Sequence, residues 1–316
     1  MWTSPPGDNG LQTMTSARNN RQSVDHLSVD AFGHPAWDVE PAPAVQQGVL
    51  SALERGGVIF LPEIGFTVLP LEVGLFSPRI VGSLKNVSFD PARDQLGGTS
   101  AAGDDRHTLA KMLARFSEQA SVLVDRLLPA YRGRVTRGRT SFRPVEIAGR
   151  KTSWRKDDTR LHVDAFPATP VHGRRILRVF TNVNPDGRPR TWRVGEPFEA
   201  IAERFGPALR LPVPGLAPVL QWLHVTKSRR TPYDAMMLQL HDRMKGDDAY
   251  QQQCAQLTVD FPARSTWMAF TDQVSHAATS GQYQLEQTFL VPVDAMSEAD
   301  RSPLRILERI KGRRLT

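Results

Sequence analysis

Apolar positions along this chain fall mostly in short runs broken by proline, glycine and polar residues. Val58-Ile59-Phe60-Leu61 stops at Pro62 and Phe66-Thr67-Val68-Leu69 stops at Pro70, and both runs predict short strands. Ile176–Val183, Leu257–Phe261, Ser265–Thr271 and Gln282–Val291 predict further strands, with Asn184-Pro185-Asp186-Gly187 as a turn after the first of them. Other stretches keep helical spacing. The clearest is Asp104–Tyr131, where Leu109, Met112, Leu113, Phe116, Ala120, Leu123, Val124 and Leu127 share one face and Asp104 or Asp105 can cap the start. Ala44–Arg55 and Glu196–Phe205 fit shorter helices. Thr231 as cap and Pro232 at the first helical position open another, with Tyr233, Met236, Met237, Leu240 and Met244 as its buried face.

Many short strands with Pro/Gly turns and a few helices predict a mainly β protein: a double-stranded β-helix (jelly-roll or cupin-like) core buttressed by helices. A doubly wound α/β sheet fits less well. Strands and helices do not alternate, and no glycine-rich phosphate loop follows a strand. Residues 1–25, rich in Ser, Asn, Gly, Pro and Gln, read as a disordered leader, with Met14 as an alternative start. Residues 26–316 read as a single domain built on the jelly-roll core.

Composition narrows the classes. Of 316 residues 40% are hydrophobic, enough for a sizeable core. Forty Lys and Arg against 33 acids give a net charge of +7, which favours anionic partners. Cys254 is the only cysteine, so a disulfide framework and a cysteine zinc site are excluded. No apolar run approaches the roughly 18 residues of a spanning helix, and Met1–Asn20 has no apolar segment of the secretory kind. The expected location is therefore the cytoplasm. The stretch Arg132–Arg160 carries ten Lys and Arg against three acids. It is either a solvated face or a wall turned toward an anionic substrate.

Among eight histidines, one pattern has ligand spacing: His162-Val163-Asp164. Alternate residues of an extended segment point the same way, so an imidazole and a carboxylate can meet one cation. About half a His-x-Asp is expected by chance in such a chain, so the spacing alone is a weak signal. Its alternative is a strand-end pair bonded to itself or to the backbone. Phe166-Pro167 and Thr169-Pro170 then open the segment into a loop. His276, at the end of an apolar strand and before Gly281, stands where a jelly-roll would supply a distal third ligand. Two histidines and a carboxylate leave open positions on iron(II) for a bidentate co-substrate and O2. Arg178 sits inside an apolar strand and needs an anionic partner there, either a co-substrate carboxylate or a structural acid. Arg174 and Arg175, at the strand entrance, read as solvated.

Three segments carry a resemblance. Thr159-Arg160-Leu161-His162-Val163-Asp164-Ala165-Phe166-Pro167, His172–Pro185 and Arg190-Thr191-Trp192-Arg193-Val194-Gly195-Glu196 resemble the Kdo hydroxylases. The likeness runs from about Asp38 to Val293 and is densest from Thr152 to Glu196. It implies a bacterial iron(II)/2-oxoglutarate-dependent dioxygenase. Such an enzyme hydroxylates carbon 3 of 3-deoxy-D-manno-oct-2-ulosonic acid (Kdo) in Kdo2-lipid A, the lipopolysaccharide inner core, to give D-glycero-D-talo-oct-2-ulosonic acid. O2 and 2-oxoglutarate are consumed, with succinate and CO2 released. The resemblance implies His162, Asp164 and His276 as iron ligands and Arg178 as holder of the distal 2-oxoglutarate carboxylate, with Arg143 and Trp192 as further co-substrate or pocket residues. Many oxygenases of the superfamily place a basic residue about ten positions after the distal histidine; here Glu286 stands there, which favours Arg178.

Leu304, Ile306, Leu307 and Ile310 interleave with basic residues in the tail, which fits either contact with an anionic bilayer or a helix docked on the core. Rival readings are a jelly-roll oxygenase for another substrate and a non-catalytic cupin-like glycolipid-binding protein. A nucleic-acid partner is not expected, because no stacking aromatics interleave with the basic run.

Overall fold

The computed structural model describes residues 21–24, 27–82, 85–212, 215–223 and 225–316. Its first half contains β1 (Arg21–Val24), β2 (Leu27–Ala31), α1 (Pro43–Glu54), β3 (Val58–Leu61), β4 (Val87–Asp90), β5 (Gln95–Gly97), α2 (Gly103–Leu127) and β6 (Thr136–Arg143). Then come β7 (Arg175–Asn182), β8 (Arg190–Gly195), α3 (Phe198–Phe205), α4 (Leu216–Trp222), α5 (Pro232–Gly246) and α6 (Asp248–Gln253). The chain closes with β9 (Gln256–Phe261), β10 (Thr266–Phe270), β11 (His276–Ser280), β12 (Gln284–Val291) and α7 (Pro303–Lys311).

Two sheets form the expected jelly-roll core. The larger runs β1-β2-β3-β10-β7-β12-β6-β4-β5 and the smaller β11-β8-β9. All pairs are antiparallel except β2 with β3. The large sheet is covered on both faces, so β7 is buried along its whole length, its polar Arg175, Arg178, Thr181 and Asn182 included. Alternation still sorts its side chains. Leu177 and Val179, with Met268 and Phe270 of β10, face a core shared with α1 and α2. Phe180, with Trp267 and Ala269, faces the small sheet. There Trp267 stacks on Phe261 at 4.2 Å between centroids, and Trp192 meets both rings edge-on. Arg178 belongs to this inner face, which is why a cation can sit in an otherwise apolar strand.

All eight apolar residues assigned to the face of α2 are buried. The helix ends at Leu127, earlier than expected, because Pro129 starts a 3-10 turn through Tyr131. Asp104 and Asp105 lie in its first turn, and the cap position is Ala102. Phe66–Leu69 is not a strand. Trp37 donates to the Gly65 carbonyl and Arg115 to the Thr67 carbonyl, so side chains rather than a ladder hold this extended segment. Phe66 packs on Phe116 beneath Arg115.

A second cluster gathers α3, α5, α6 and α7 around the segment from Leu161 to Val171. Thr231 caps α5 as expected, and Asp234 caps it reciprocally by accepting from the Thr231 amide. Asp234 also accepts from the Val171 and His172 amides, which ties α5 to that segment. Leu304, Ile306 and Leu307 of α7 are buried in the same cluster. Ser302 caps α7, and Gly312 ends it in the left-handed region at φ 61°. The tail is thus a docked helix, and those three apolar residues are unavailable to a bilayer. Arg175 is fully buried rather than solvated: it pairs with Asp272 at 2.8 Å and lies 3.9 Å over the Phe270 ring. The leader expected at 1–25 falls mainly outside the described residues. Arg21–Val24, however, forms β1 against β2.

Candidate metal centre

His162 and His276 face each other across an isolated antiparallel bridge, each amide donating to the other's carbonyl at 3.0 and 2.9 Å. His276 is the first residue of β11 in the small sheet, rather than the end of the preceding apolar strand. His162 lies in a short extended segment that makes no longer ladder. Gln251 of α6 holds this segment by accepting from the Leu161 amide and donating to its carbonyl. Two residues on, the Asp164 amide donates to the Thr271 carbonyl at 2.7 Å. The alternation expected from His-x-Asp therefore holds, and one potential ligand atom from each of His162, Asp164 and His276 lies within 4.8 Å of the others.

The two imidazoles are oriented in the same way. Nδ1 of His162 lies 2.8 Å from the Arg160 carbonyl, and Nδ1 of His276 lies 2.8 Å from the Val274 carbonyl. A carbonyl can only accept, so each Nδ1 carries the proton and each Nε2 is left with a lone pair. Trp192 stacks on His276 at 5.0 Å and 25°, and the two histidine rings are 4.7 Å apart. Asp164 Oδ2 is buried without a hydrogen bond, although Arg178 lies 3.3 Å away. Two free imidazole nitrogens beside an under-satisfied carboxylate suit a divalent ion bound by nitrogen and oxygen.

Burial, and then the neighbouring histidine, pushes the His162 pKa well below its ordinary value of 6.5. His276 is lowered by burial too, with Asp164 offsetting part of the effect. Burial would raise the Asp164 carboxyl, but Arg178 outweighs it and holds the carboxyl well below the usual range. In the metal-free protein both histidines are therefore neutral when folded, while the unfolded chain takes up protons near pH 6.5. The unfolded state binds more protons there, so stability is complete above that pH and falls as pH drops through it. Thermal melts of metal-free protein from pH 7.5 to 5 are expected to show this loss, with a shallower slope in His276→Gln.

The trio lies in a cavity of about 480 Å³ between the sheets and the helical side. The sheet wall carries Arg143 of β6, Arg178 of β7, Arg190 and Trp192 of β8, and Glu286 of β12. Glu286 is clasped by both nearby arginines, Arg178 at 2.8 Å and Arg143 at 2.9 Å, and their charges hold its carboxyl down against the effect of burial. Arg178 therefore has the acid partners its burial demands, and both are protein groups. Arg190, which sequence reasoning passed over, differs. It is 2% exposed, donates one hydrogen bond to the Gly281 carbonyl, leaves Nε unpartnered and has no carboxylate within 4 Å among the described residues. Burial, then Arg143, lowers its pKa to about 9. Trp192 Nε1 is likewise buried without an acceptor. Of the three residues assigned to the co-substrate, the structure brings Arg178, Arg143 and Trp192 into one cavity and adds Arg190 beside them.

A jelly-roll core that opens two histidines and a carboxylate onto an arginine-lined cavity defines the class of non-haem iron oxygenases that consume a 2-oxo acid. Residues 36–314 match the family model of the 3-deoxy-D-manno-oct-2-ulosonic acid (Kdo) hydroxylases. The chain belongs to that family. It is similar to the crystal structure of the Kdo hydroxylase KdoO, a non-haem Fe(II) α-ketoglutarate-dependent dioxygenase, in complex with α-ketoglutarate and Fe(III). That similarity is 43% identity over 91% of this chain and 97% of the other, with a TM-score of 0.88. The cobalt(II) complex of KdoO is 44% identical over the same shares, with a TM-score of 0.89. A third KdoO structure holds succinate and Fe(III) at 43% identity. No curated protein sequence matches the chain significantly.

Proposed function

We propose that this chain is an iron(II)/2-oxoglutarate-dependent dioxygenase that hydroxylates carbon 3 of Kdo in Kdo2-lipid A. The observation that carries the reading is the open His162–Asp164–His276 trio at a cationic cavity, in a chain 43% identical to a Kdo hydroxylase. His162, Asp164 and His276 would hold the iron. When bound, iron supplies the oxidative decarboxylation of 2-oxoglutarate by O2 and, with it, the oxidant for the C–H bond.

The chain's own residues prepare that chemistry. Backbone carbonyls fix both imidazole tautomers, and stacked Trp192 limits rotation of the His276 ring. Arg178 keeps Asp164 ionised and holds it from one side. Arg178, Arg143 and Trp192, joined by Arg190, would receive the 2-oxoglutarate carboxylate, because buried guanidinium and indole donors gain most from an anion. Phe166 lies beside Arg178, and Phe180 joins it in lining the cavity and restricting water around the carboxylate site.

The substrate, a Kdo-containing glycolipid, is anionic, and the +7 chain suits it. Among the described residues no helix is long and apolar enough to cross a membrane. This reading places the enzyme in the cytoplasm, meeting its glycolipid at the anionic membrane face through surfaces other than the docked α7. The test is aerobic incubation with iron(II), 2-oxoglutarate and Kdo2-lipid A, read by mass spectrometry. The expected product is heavier by one oxygen and needs every component. Succinate without oxygen in the glycolipid would point to another substrate, and neither product would favour a binding protein.

A further inference from the structure

Seven basic side chains border the cavity, and most are already matched by acids. Arg143 and Arg178 share Glu286, Lys85 pairs with Asp158 at 2.9 Å, and Arg155 pairs with Asp242 at 3.1 Å. Two buried cations have no carboxylate within 4 Å among the described residues. One is Arg190 on the sheet wall. The other is Lys245 in the last turn of α5, also 2% exposed. Its ammonium has three donors and makes one hydrogen bond, 3.3 Å to the Arg155 carbonyl. A buried, unpaired ammonium is costly, and the cost is recovered only when an anion arrives.

Lys245 is rigidly placed relative to the metal centre. Its own carbonyl accepts from Arg160 Nε, and Arg160 also pairs with Asp248, so the end of α5 is fastened two residues before His162. One helical turn earlier, His241 packs edge-on against His162 at 5.3 Å. Residues four apart share a helix face, so the face of α5 that meets His162 also presents Lys245. Burial lowers the Lys245 pKa, and the nearby acids restore only part of it.

We propose that Lys245 is the anchor for the carboxylate of the sugar-acid substrate, on the helical wall of the cavity. The inference rests on the Kdo hydroxylase reading and names the contact that reading lacks. In a 3-deoxy-2-ulosonic acid the carboxylate is C1 and the reacting carbon is C3, so an anchor for this anion must stand close to the metal ligands. A lipid A phosphate lies sugar units away from C3 and is not constrained to that place. The co-substrate carboxylate has its own unpaired cation in Arg190, on a different wall. With both ends of the binding problem assigned, Lys245 orients C3 and leaves 2-oxoglutarate to the sheet.

Lys245→Met removes the charge and keeps the apolar stem. With Kdo2-lipid A its KM is expected to rise about 10- to 100-fold, as loss of a charge-assisted hydrogen bond implies. The KM for 2-oxoglutarate, cobalt(II) affinity and uncoupled succinate formation should stay within about twofold, and the melting temperature should not fall, because an unpaired buried charge has gone. Lys245→Arg should recover part of the loss. The methyl ester of the Kdo carboxylates should cost the wild type a similar factor and cost Lys245→Met nothing more. The assignment falls if the ester and the variant multiply independently, or if the 2-oxoglutarate KM moves instead. It falls equally if dephosphorylated glycolipid, rather than the ester, cancels the variant's effect, which would give the cation to a phosphate. Wild-type protein that fails to oxidise Kdo2-lipid A would overturn the functional reading itself, a result distinct from any of these.

Discussion

Replacing Asp164 with alanine is expected to leave a folded chain that no longer holds iron and turns over about a thousandfold more slowly or worse. The carboxylate is the one formal charge among the three candidate ligands. Its removal leaves two neutral imidazoles and, on the same side, the Arg178 guanidinium that had faced Asp164 at 3.3 Å. A divalent ion would then meet an uncompensated cation in a low-dielectric cavity, where repulsion is strong. Folding should survive, because the Asp164 amide keeps its bond to the Thr271 carbonyl and Arg178 keeps Glu286. Cobalt(II) titration followed by visible absorption, beside circular dichroism, separates these effects. Wild-type cobalt affinity in a folded Asp164→Ala protein would remove this residue from the metal site.

Arg190→Met is expected to raise the 2-oxoglutarate concentration for half-maximal rate by about 30- to 100-fold, the worth of a charged hydrogen bond made in a dry site. Metal affinity should hardly change. Arg178→Ala should raise the same requirement but disturb the metal site too, since Asp164 loses the guanidinium that holds its carboxylate from one side at 3.3 Å. Measuring both constants in both variants distinguishes a residue that serves the co-substrate alone from one that serves two partners. If Arg190→Met leaves the requirement unchanged, the co-substrate carboxylate belongs to Arg178 and Arg143 instead.

The elements most legible in the sequence were those whose burial is one-sided or complete. The face of α2, the capped start of α5 and the apolar strands β3, β7, β9, β10 and β12 fall where periodicity puts them. Strands β4, β5 and β6 carry too many polar residues for an apolar run to show, and β6 sits inside the basic stretch. Phe66–Leu69 has strand composition, but its backbone partners are side chains, which no local pattern reveals. Of the candidate site, the His-x-Asp pair was readable because its spacing survives without a full strand. His276 is expected at the end of an apolar strand, and it instead opens β11 after the turn that follows β10. Arg175 and Arg190 were misjudged or missed for one reason: arginine looks the same whether solvated or buried. A signal for Arg190 did exist. Trp192 is two residues on, and strand alternation turns Arg190, Trp192 and Val194 to the same buried side of β8.

The cross-chain bridge between His162 and His276 also bears on the timing of maturation. Two candidate ligands come from the middle of the chain, and the third is available only when β11 has emerged and docked against the segment at His162. The elements that precede β11 hold no complete trio, and the core around α2 itself draws on β7, β10 and β12. Under the proposed function, iron capture therefore waits until β11 has docked. A product that stops before β11 would lack the third candidate ligand and could not complete the trio.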